Sequence, residues 1–437
     1  MIRRIRIDGY KSLHNFDVEL NPLSVIFGPN AAGKSNFLDA LQLISRITGS
    51  KTLKNAFDPP YRGRPIESFS FSENGIEGLI ARDVLSLSLS VDIELSDNVI
   101  KKVDNEIIGM RKGLESKNGN GRKEKYIQEK FLRYDLEIEF MPKQGFLRVK
   151  NERICALKKD LSERGSRNAF LERKSDDKKS EIKLSLRMEG QGHPTFFDIG
   201  LDHSILSLPL YPPHYPHLTA IKREIENWQF FYFEPRERMR AANPTKEVIH
   251  IGMMGEELSA YLHTLKNKDP GRFEAIERAM HSIIPSIEHV KTTIDTKSGE
   301  VELSIIENGV PIPARLLSEG TLRILGLLSI SGGEDSPSVI CFEEPENGIH
   351  PRRIGMIAEY LKNTAANKSQ IIVTTHSPIL PDLIDNKSLY VCRKKEGNTK
   401  IEKFMEIGLF RRPGIEKGIN DDLPVPSELI LRGDLDA

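Results

Sequence analysis

Eight residues near the start of the chain, Gly28-Pro29-Asn30-Ala31-Ala32-Gly33-Lys34-Ser35, fit the spacing G-x-x-x-x-G-K-[ST] without a gap. Glycines let such a loop curl so that successive N–H groups point inward, and a following helix N-terminus adds a fixed positive potential. In that arrangement Asn30, Ala31, Ala32 and Gly33 cradle phosphate, Lys34 reaches the β- and γ-phosphates, and the Ser35 hydroxyl holds Mg²⁺. Late in the chain, Glu343-Glu344-Pro345-Glu346 follows an apolar run, and His376 follows another. Two adjacent acids at a strand end suit metal and water chemistry. In such a pair one acid helps hold Mg²⁺, usually through water, and the next polarises the attacking water, which makes Glu343 and Glu344 the candidates.

These side chains need elements to position them. Leu23-Ser24-Val25-Ile26-Phe27 reads as a buried strand before the loop, and Asn36–Ile44 has apolar residues at helical spacing behind it. Val339-Ile340-Cys341-Phe342 is a buried strand ending in the acids, and Asn347-Gly348-Ile349-His350-Pro351 a tight connection into a helix. Gln370–Thr375 is a further buried strand with His376 at its tip. Leu317-Ser318-Glu319-Gly320-Thr321 opens a strongly apolar helix. Taken singly, an acid pair can be a salt-bridged surface feature, Leu-Ser-x-Gly recurs by chance, and a histidine beside a proline is usually structural. In this order they gather at the carboxyl ends of parallel-type strands, where open α/β sheets bind ligands.

The intervening chain carries a different periodicity. Residues 2–7 and 16–20 alternate like a hairpin, as do 84–93, 134–140, 145–150 and 182–188, which predicts an antiparallel layer with one wet face. Residues 50–64 read as a surface loop and 113–125 as a mobile Gly/Asn/Lys-rich insertion. Between residues 101 and 190 there are about 24 Lys and Arg against about 16 Asp and Glu, either a solvated face or a contact surface for nucleic acid or a partner. The stretch 208–217 is too proline-rich for helix. With no Cys or carboxylate at ligand spacing, His203, His214 and His217 read as structural rather than metal-binding. In Glu234-Pro235-Arg236-Glu237-Arg238-Met239-Arg240 the arginines face either phosphates or water. Strand-like pieces at 389–393 and 400–404 precede an acidic-ended tail.

A chain of 437 residues with 38% hydrophobic and 29% charged residues describes a soluble globular protein of two or three domains. No apolar run approaches the roughly 20 residues of a membrane span, and the N-terminus lacks a signal-peptide core, so the cytoplasm is the expected compartment. Three cysteines without metal spacing point to packing, and a net charge of zero gives no global sign of a nucleic-acid binder.

The quartet GPNAAGKS, LSEGT, VICFEEPENGIHP and VTTHSP resembles the ATPase heads of the ABC class, most nearly the RecF/SMC/OLD-like AAA ATPase branch. The opening IRIDGYKSL, the GKSN end of the loop (with Asn36), FYFEPRERMR and GEELSAYLHTL resemble it too, so the likeness covers nearly the whole chain. The resemblance implies an α/β fold: an ABC-ATPase head with a RecA-like, mostly parallel sheet, an antiparallel β layer and a helical signature lobe. It implies an ATPase head in two parts, residues 1–100 and 231–437, around a family-specific insertion at 101–230. It also implies ATP and Mg²⁺ as ligands, Glu344 as catalytic base and His376 as sensor of the γ-phosphate. Ser318 and Gly320 would cap the γ-phosphate of a second copy in a homodimer. Glu343 stands where most relatives have aspartate, and Glu319 replaces the second glycine of the transporter signature.

Relatives fused to a TOPRIM nuclease carry it after the histidine strand. Only about 60 residues follow His376, too few for such a domain, so the expected partner is a separately encoded effector of that type, as in RloA-like phage-defence pairs. Direct DNA binding in repair, as in RecF, is the rival expectation, and a transporter's nucleotide-binding subunit a weaker one. No membrane partner is expected, and assembly beyond a dimer stays open.

Overall fold

The computed structural model describes residues 1–437 except 60, 72–73, 113–124, 166, 177–180, 191–192, 331–335, 368, 408–424, 434 and 436–437. The insertion expected at 113–125 therefore lies almost wholly outside the described residues, as does most of the acidic-ended tail. The chain forms two compact units. One comprises residues 1–21, 31–228 and 393–401; the other comprises 22–30, 229–392 and 402–437.

The first unit is built on the expected antiparallel layer. Its eight strands lie in the order 16–19, 2–8, 85–94, 131–141, 146–156, 171–176, 181–186 and 195–197. Strict alternation in Leu85–Glu94 puts Leu85, Leu87, Leu89 and Val91 inside, while Ser86 and Ser88 are exposed. This is the period-two signature of a sheet with one wet face. The helices Lys34–Gly49, Asp97–Lys112 and Pro216–Glu226 belong to the same unit.

Two sequence expectations change here. Residues 50–64 are not simply a surface loop: Leu53–Ala56 forms a helical turn capped by Thr52, and Leu53, Ala56, Phe57 and Tyr61 are buried. Pro216 does not end helical structure but begins it, because a missing N–H costs nothing at a helix's first position.

The second unit carries a sheet in which 229–231, 339–343, 370–375, 23–27 and 389–392 lie in that order. Its central pairs are parallel: Val339–Glu343 with Gln370–Thr375, that strand with Leu23–Phe27, and Leu23–Phe27 with Leu389–Lys395. Leu23–Phe27 and Gln370–Thr375 are buried at every residue, as strands covered on both faces must be. Phe231, Phe233, Phe342, Leu322, Leu325, Ile354 and Leu361 share one apolar core with them. A small antiparallel sheet (287–295, 300–307, 310–313 and 243–244) completes this unit. No helix among the described residues is long and apolar enough to cross a membrane.

Candidate functional site

The phosphate-loop motif runs from the end of strand Leu23–Phe27 to the start of helix Lys34–Gly49. Its glycines are required by close approaches as well as by dihedral angle. Gly28 has φ 156°, and a Cβ there would lie 2.1 Å from the Cys392 carbonyl oxygen. Gly33 has φ 104°, and a Cβ would fall 1.9 Å from Thr399 Oγ1. Ala31 also has positive φ, 61°. Such turns make successive backbone amides converge on one concavity. The helix starts at Lys34 with Gly33 as N-cap and no side chain capping it.

A hydrogen-bonded chain holds the loop. Thr399 Oγ1 donates to the Ala32 carbonyl (2.8 Å), which leaves Ser12 Oγ to donate to Thr399 (2.7 Å). Asn36 Nδ2 in turn donates to Ser12 Oγ (2.7 Å). Asn36, expected among the nucleotide-binding residues, thus spends an amide hydrogen on bracing the loop. Lys11 Nζ, in the turn after the first strand, pairs with Asp39 of helix Lys34–Gly49 at 2.7 Å. Lys34 is 7% exposed.

In the second unit the acids and the histidine meet as their spacing requires. Glu343 lies opposite Thr374 in the parallel register, so the two strands end level with one another. Glu344 has φ 51°, and its N–H donates to the Thr374 carbonyl (2.8 Å). This left-handed turn brings its carboxylate to His376, with Oε1 2.7 Å from Nδ1. A carboxylate can only accept, so Nδ1 carries the proton and Nε2 is the remaining ring position. Both side chains are partly open to solvent.

Glu346 has the opposite environment. It is 5% exposed, its Oε1 accepts from the Thr375 hydroxyl, and its buried Oε2 has no hydrogen-bond partner among the described residues. Burial pushes its carboxyl above the ordinary glutamate range. Thr375 Oγ1 also accepts from the Ser377 N–H (2.9 Å), so this pair brackets the turn that carries His376.

The signature segment is built by caps and a close contact. Ser318 Oγ accepts from the Thr321 N–H (3.1 Å) and meets Thr321 Oγ1 at 2.7 Å, the N-cap of helix Glu319–Ile330. A Cβ on Gly320 would lie 2.7 Å from the Gly348 carbonyl oxygen, so the signature helix rests against the ENGIHP turn. Of the arginines in EPRERMR, Arg236 pairs with Glu319 (2.7 Å) and Arg240 donates to the Leu317 carbonyl (2.8 Å). They brace the signature segment. The roles of Glu346, Thr375, Arg240, Ser12 and Thr399 escaped the sequence reading. The third acid of EEPE was their one local signal; Ser12 and Thr399 are 387 residues apart and had none.

Ser35 and Glu343 each carry a hard oxygen of the kind Mg²⁺ takes. Among the described residues no three His, Cys, Asp or Glu side chains form a metal cluster. A serine hydroxyl and a strand-end carboxylate are the sparse hard-oxygen ligands Mg²⁺ takes when water and phosphate supply the rest.

The chain is similar over 92% of its length to the Smc head bound to the C-winged helix domain of ScpA, at 13% identity and TM-score 0.47, covering 97% of that chain. It is also similar to the SMC head domain from Thermotoga maritima (14%, TM-score 0.39, 92% of this chain and 98% of that one). An uncharacterized protein of Methanocaldococcus jannaschii is 23% identical over 172 residues, 38% of this chain and 21% of that relative's length. Residues 1–380 match the AAA ATPase domain, and the chain belongs to that family.

Proposed function

We propose that this chain is a switch ATPase of the ABC/SMC type, which binds and hydrolyses ATP at sites completed by a second copy. The observation that carries this reading is the 2.7 Å contact between Glu344 and His376 at the ends of adjacent parallel strands. Glu344 accepts the proton of the attacking water at its carboxylate. His376, held through Nδ1, presents Nε2 toward the group being transferred. The backbone of Asn30–Gly33 and Lys34 bind the phosphates. Ser35 and Glu343 are the residues that would hold Mg²⁺, which when bound offsets charge on the β- and γ-phosphates.

Ser318 and Gly320 open a braced helix N-terminus that suits the γ-phosphate of the opposite copy, so ATP favours the dimer and hydrolysis releases it. We assign it a cytoplasmic role in which this cycle controls a separate effector, a TOPRIM-type nuclease in anti-phage defence. A Glu344→Gln protein given ATP and Mg²⁺ is expected to accumulate as dimer in sedimentation. A strictly monomeric profile rejects the composite site.

A further inference from the structure

Two features of the sequence have no part in the nucleotide site: the basic excess between residues 101 and 190 and the proline-rich stretch 208–217. In the first unit they converge on one cavity of about 490 Å³, walled by Arg111, Lys125, Tyr126, Arg167, Pro213 and Pro216 among others. A second cavity of about 230 Å³ shares Arg167 and Glu189 with it and adds Arg187.

Two wall residues, Arg167 and Glu189, are held from behind. His217 is fully buried, its Nε2 accepts from the N–H groups of Gln128 (3.1 Å) and Glu129 (3.0 Å), and its Nδ1 donates to Glu189 (2.6 Å). Arg167 bridges Glu129 and Glu189, each at 3.1 Å, and lies over the Phe170 ring. The single carboxylate on the wall is therefore already used, since the Glu189 oxygens accept from the His217 amide, the His217 ring and Arg167. The Arg111 guanidinium lies over Tyr126, 4.6 Å from the ring centroid. Neither Arg111 nor Lys125 has an ion-pair partner among the described residues. A cationic wall, an apolar proline wall and a spent carboxylate together select an anion with an apolar body. The volume is that of a small-ligand site.

We propose that this cavity binds a nucleotide unit, its phosphate on Arg111 and Lys125 and its sugar or base against Pro213 and Pro216. The unit comes either as a free mononucleotide or as the phosphorylated end of a nucleic-acid strand.

The test uses the full chain and fluorescence anisotropy of a 3′-labelled ten-nucleotide thymidine strand, with and without a 5′-phosphate, and unlabelled dTMP as competitor. Lys34→Ala protein serves in parallel, so that the phosphate loop does not contribute and failure of the ATPase reading leaves this test intact. Binding that requires the 5′-phosphate, weakened at least about tenfold by Arg111→Glu/Lys125→Glu, is the expected result. Displacement by dTMP at concentrations near the strand's own Kd identifies a free nucleotide; binding of the strand alone identifies a nucleic-acid end. Thermal melting and ATP hydrolysis of the double variant should match the parent, and Lys125→Ala, at an exposed position, gives the same direction if the double variant misfolds. Equal affinity for the 5′-hydroxyl strand with no dTMP binding, parental affinity in the charge-reversed protein, or no binding of either probe overturns the proposal.

Discussion

Glu346 accepts a hydrogen bond from the hydroxyl of Thr375, the residue before the site histidine, and neither side chain is more than 5% exposed. Among the described residues the second carboxylate oxygen of Glu346 has no partner. An unpaired buried charge is costlier than an unpaired amide. Burial holds this carboxyl above its ordinary range, so folding takes up a proton there. The native state gains from that proton below the unfolded glutamate pKa and loses the gain as pH rises through the raised value. Glu346→Gln keeps an oxygen for Thr375 and cannot titrate. It should raise Tm at pH 8, by about 1 kcal/mol of stability, and match the parent near pH 4. Melting curves across that range decide it; an unchanged pH dependence in the variant removes Glu346 as the titrating group.

Gly33→Ala meets two obstacles, a left-handed φ and the Thr399 hydroxyl. Thr399 is itself bonded to Ala32 and Ser12, so it cannot swing aside without breaking the clamp on the loop. The expected loss is about 2–3 kcal/mol of stability, together with loss of nucleotide binding. Thr399→Ala in the same chain removes the 1.9 Å hydroxyl clash but leaves its own Cβ 2.9 Å away and the dihedral strain in place, so it should restore only part of the stability in urea denaturation. Full restoration would show that φ at residue 33 matters little.

Glu152 in the antiparallel sheet is fully buried and accepts from Ser204 Oγ, the N–H groups of Ile205 and Leu206, and the Tyr134 hydroxyl. Glu152→Ala strands these donors, and about 3 kcal/mol or more of stability should be lost. Nucleotide binding by the folded fraction is expected to persist. A melting temperature within a degree or two of the parent would contradict the network's importance.

The strands and helices around the site were legible because each has one dominant periodicity: continuous apolar runs at 23–27 and 370–375, strict alternation at 85–94. The contact between Glu344 and His376 was legible because both follow such runs directly. What stayed hidden depends on tertiary pairing. Nothing local to Ser12 says that it meets Thr399, and nothing in Arg240 says that its guanidinium seeks the Leu317 carbonyl rather than a phosphate. The helix beginning at Pro216 was missed because proline content is a breaker signal except at a helix's first residue.

The two arginines that brace the signature segment should behave differently. Arg236 and Glu319 are paired where Arg236 is 76% exposed, so Arg236→Ala is expected to change stability by less than about 1 kcal/mol. Arg240 is partly buried and its bond to Leu317 holds the backbone just before Ser318. Arg240→Ala should cost about 1–2 kcal/mol and lower kcat, while binding of ATP to the phosphate loop is kept. Equilibrium binding of a labelled nucleotide beside steady-state turnover separates the two. Equal loss of binding and turnover would mean that Arg240 does not act through the signature segment.

His376→Ala leaves Glu344 without its Nδ1 donor, although the turn is still bracketed by Thr375 and Glu346. The fold should survive, since the His376 side chain is 45% exposed. Turnover should fall about 10²-fold or more, as when one member of an acid–base pair is removed. His376→Gln, which offers an amide N–H in place of the imidazole, should recover part of the rate if the histidine's task is to orient Glu344, and none if it must carry charge to the substrate. Because Glu344→Gln and His376→Ala remove two ends of one contact, the double variant should be little slower than the worse single one. Multiplicative losses in that cycle, measured as phosphate release, would separate the two residues into independent roles and dissolve the pair on which the proposed chemistry rests.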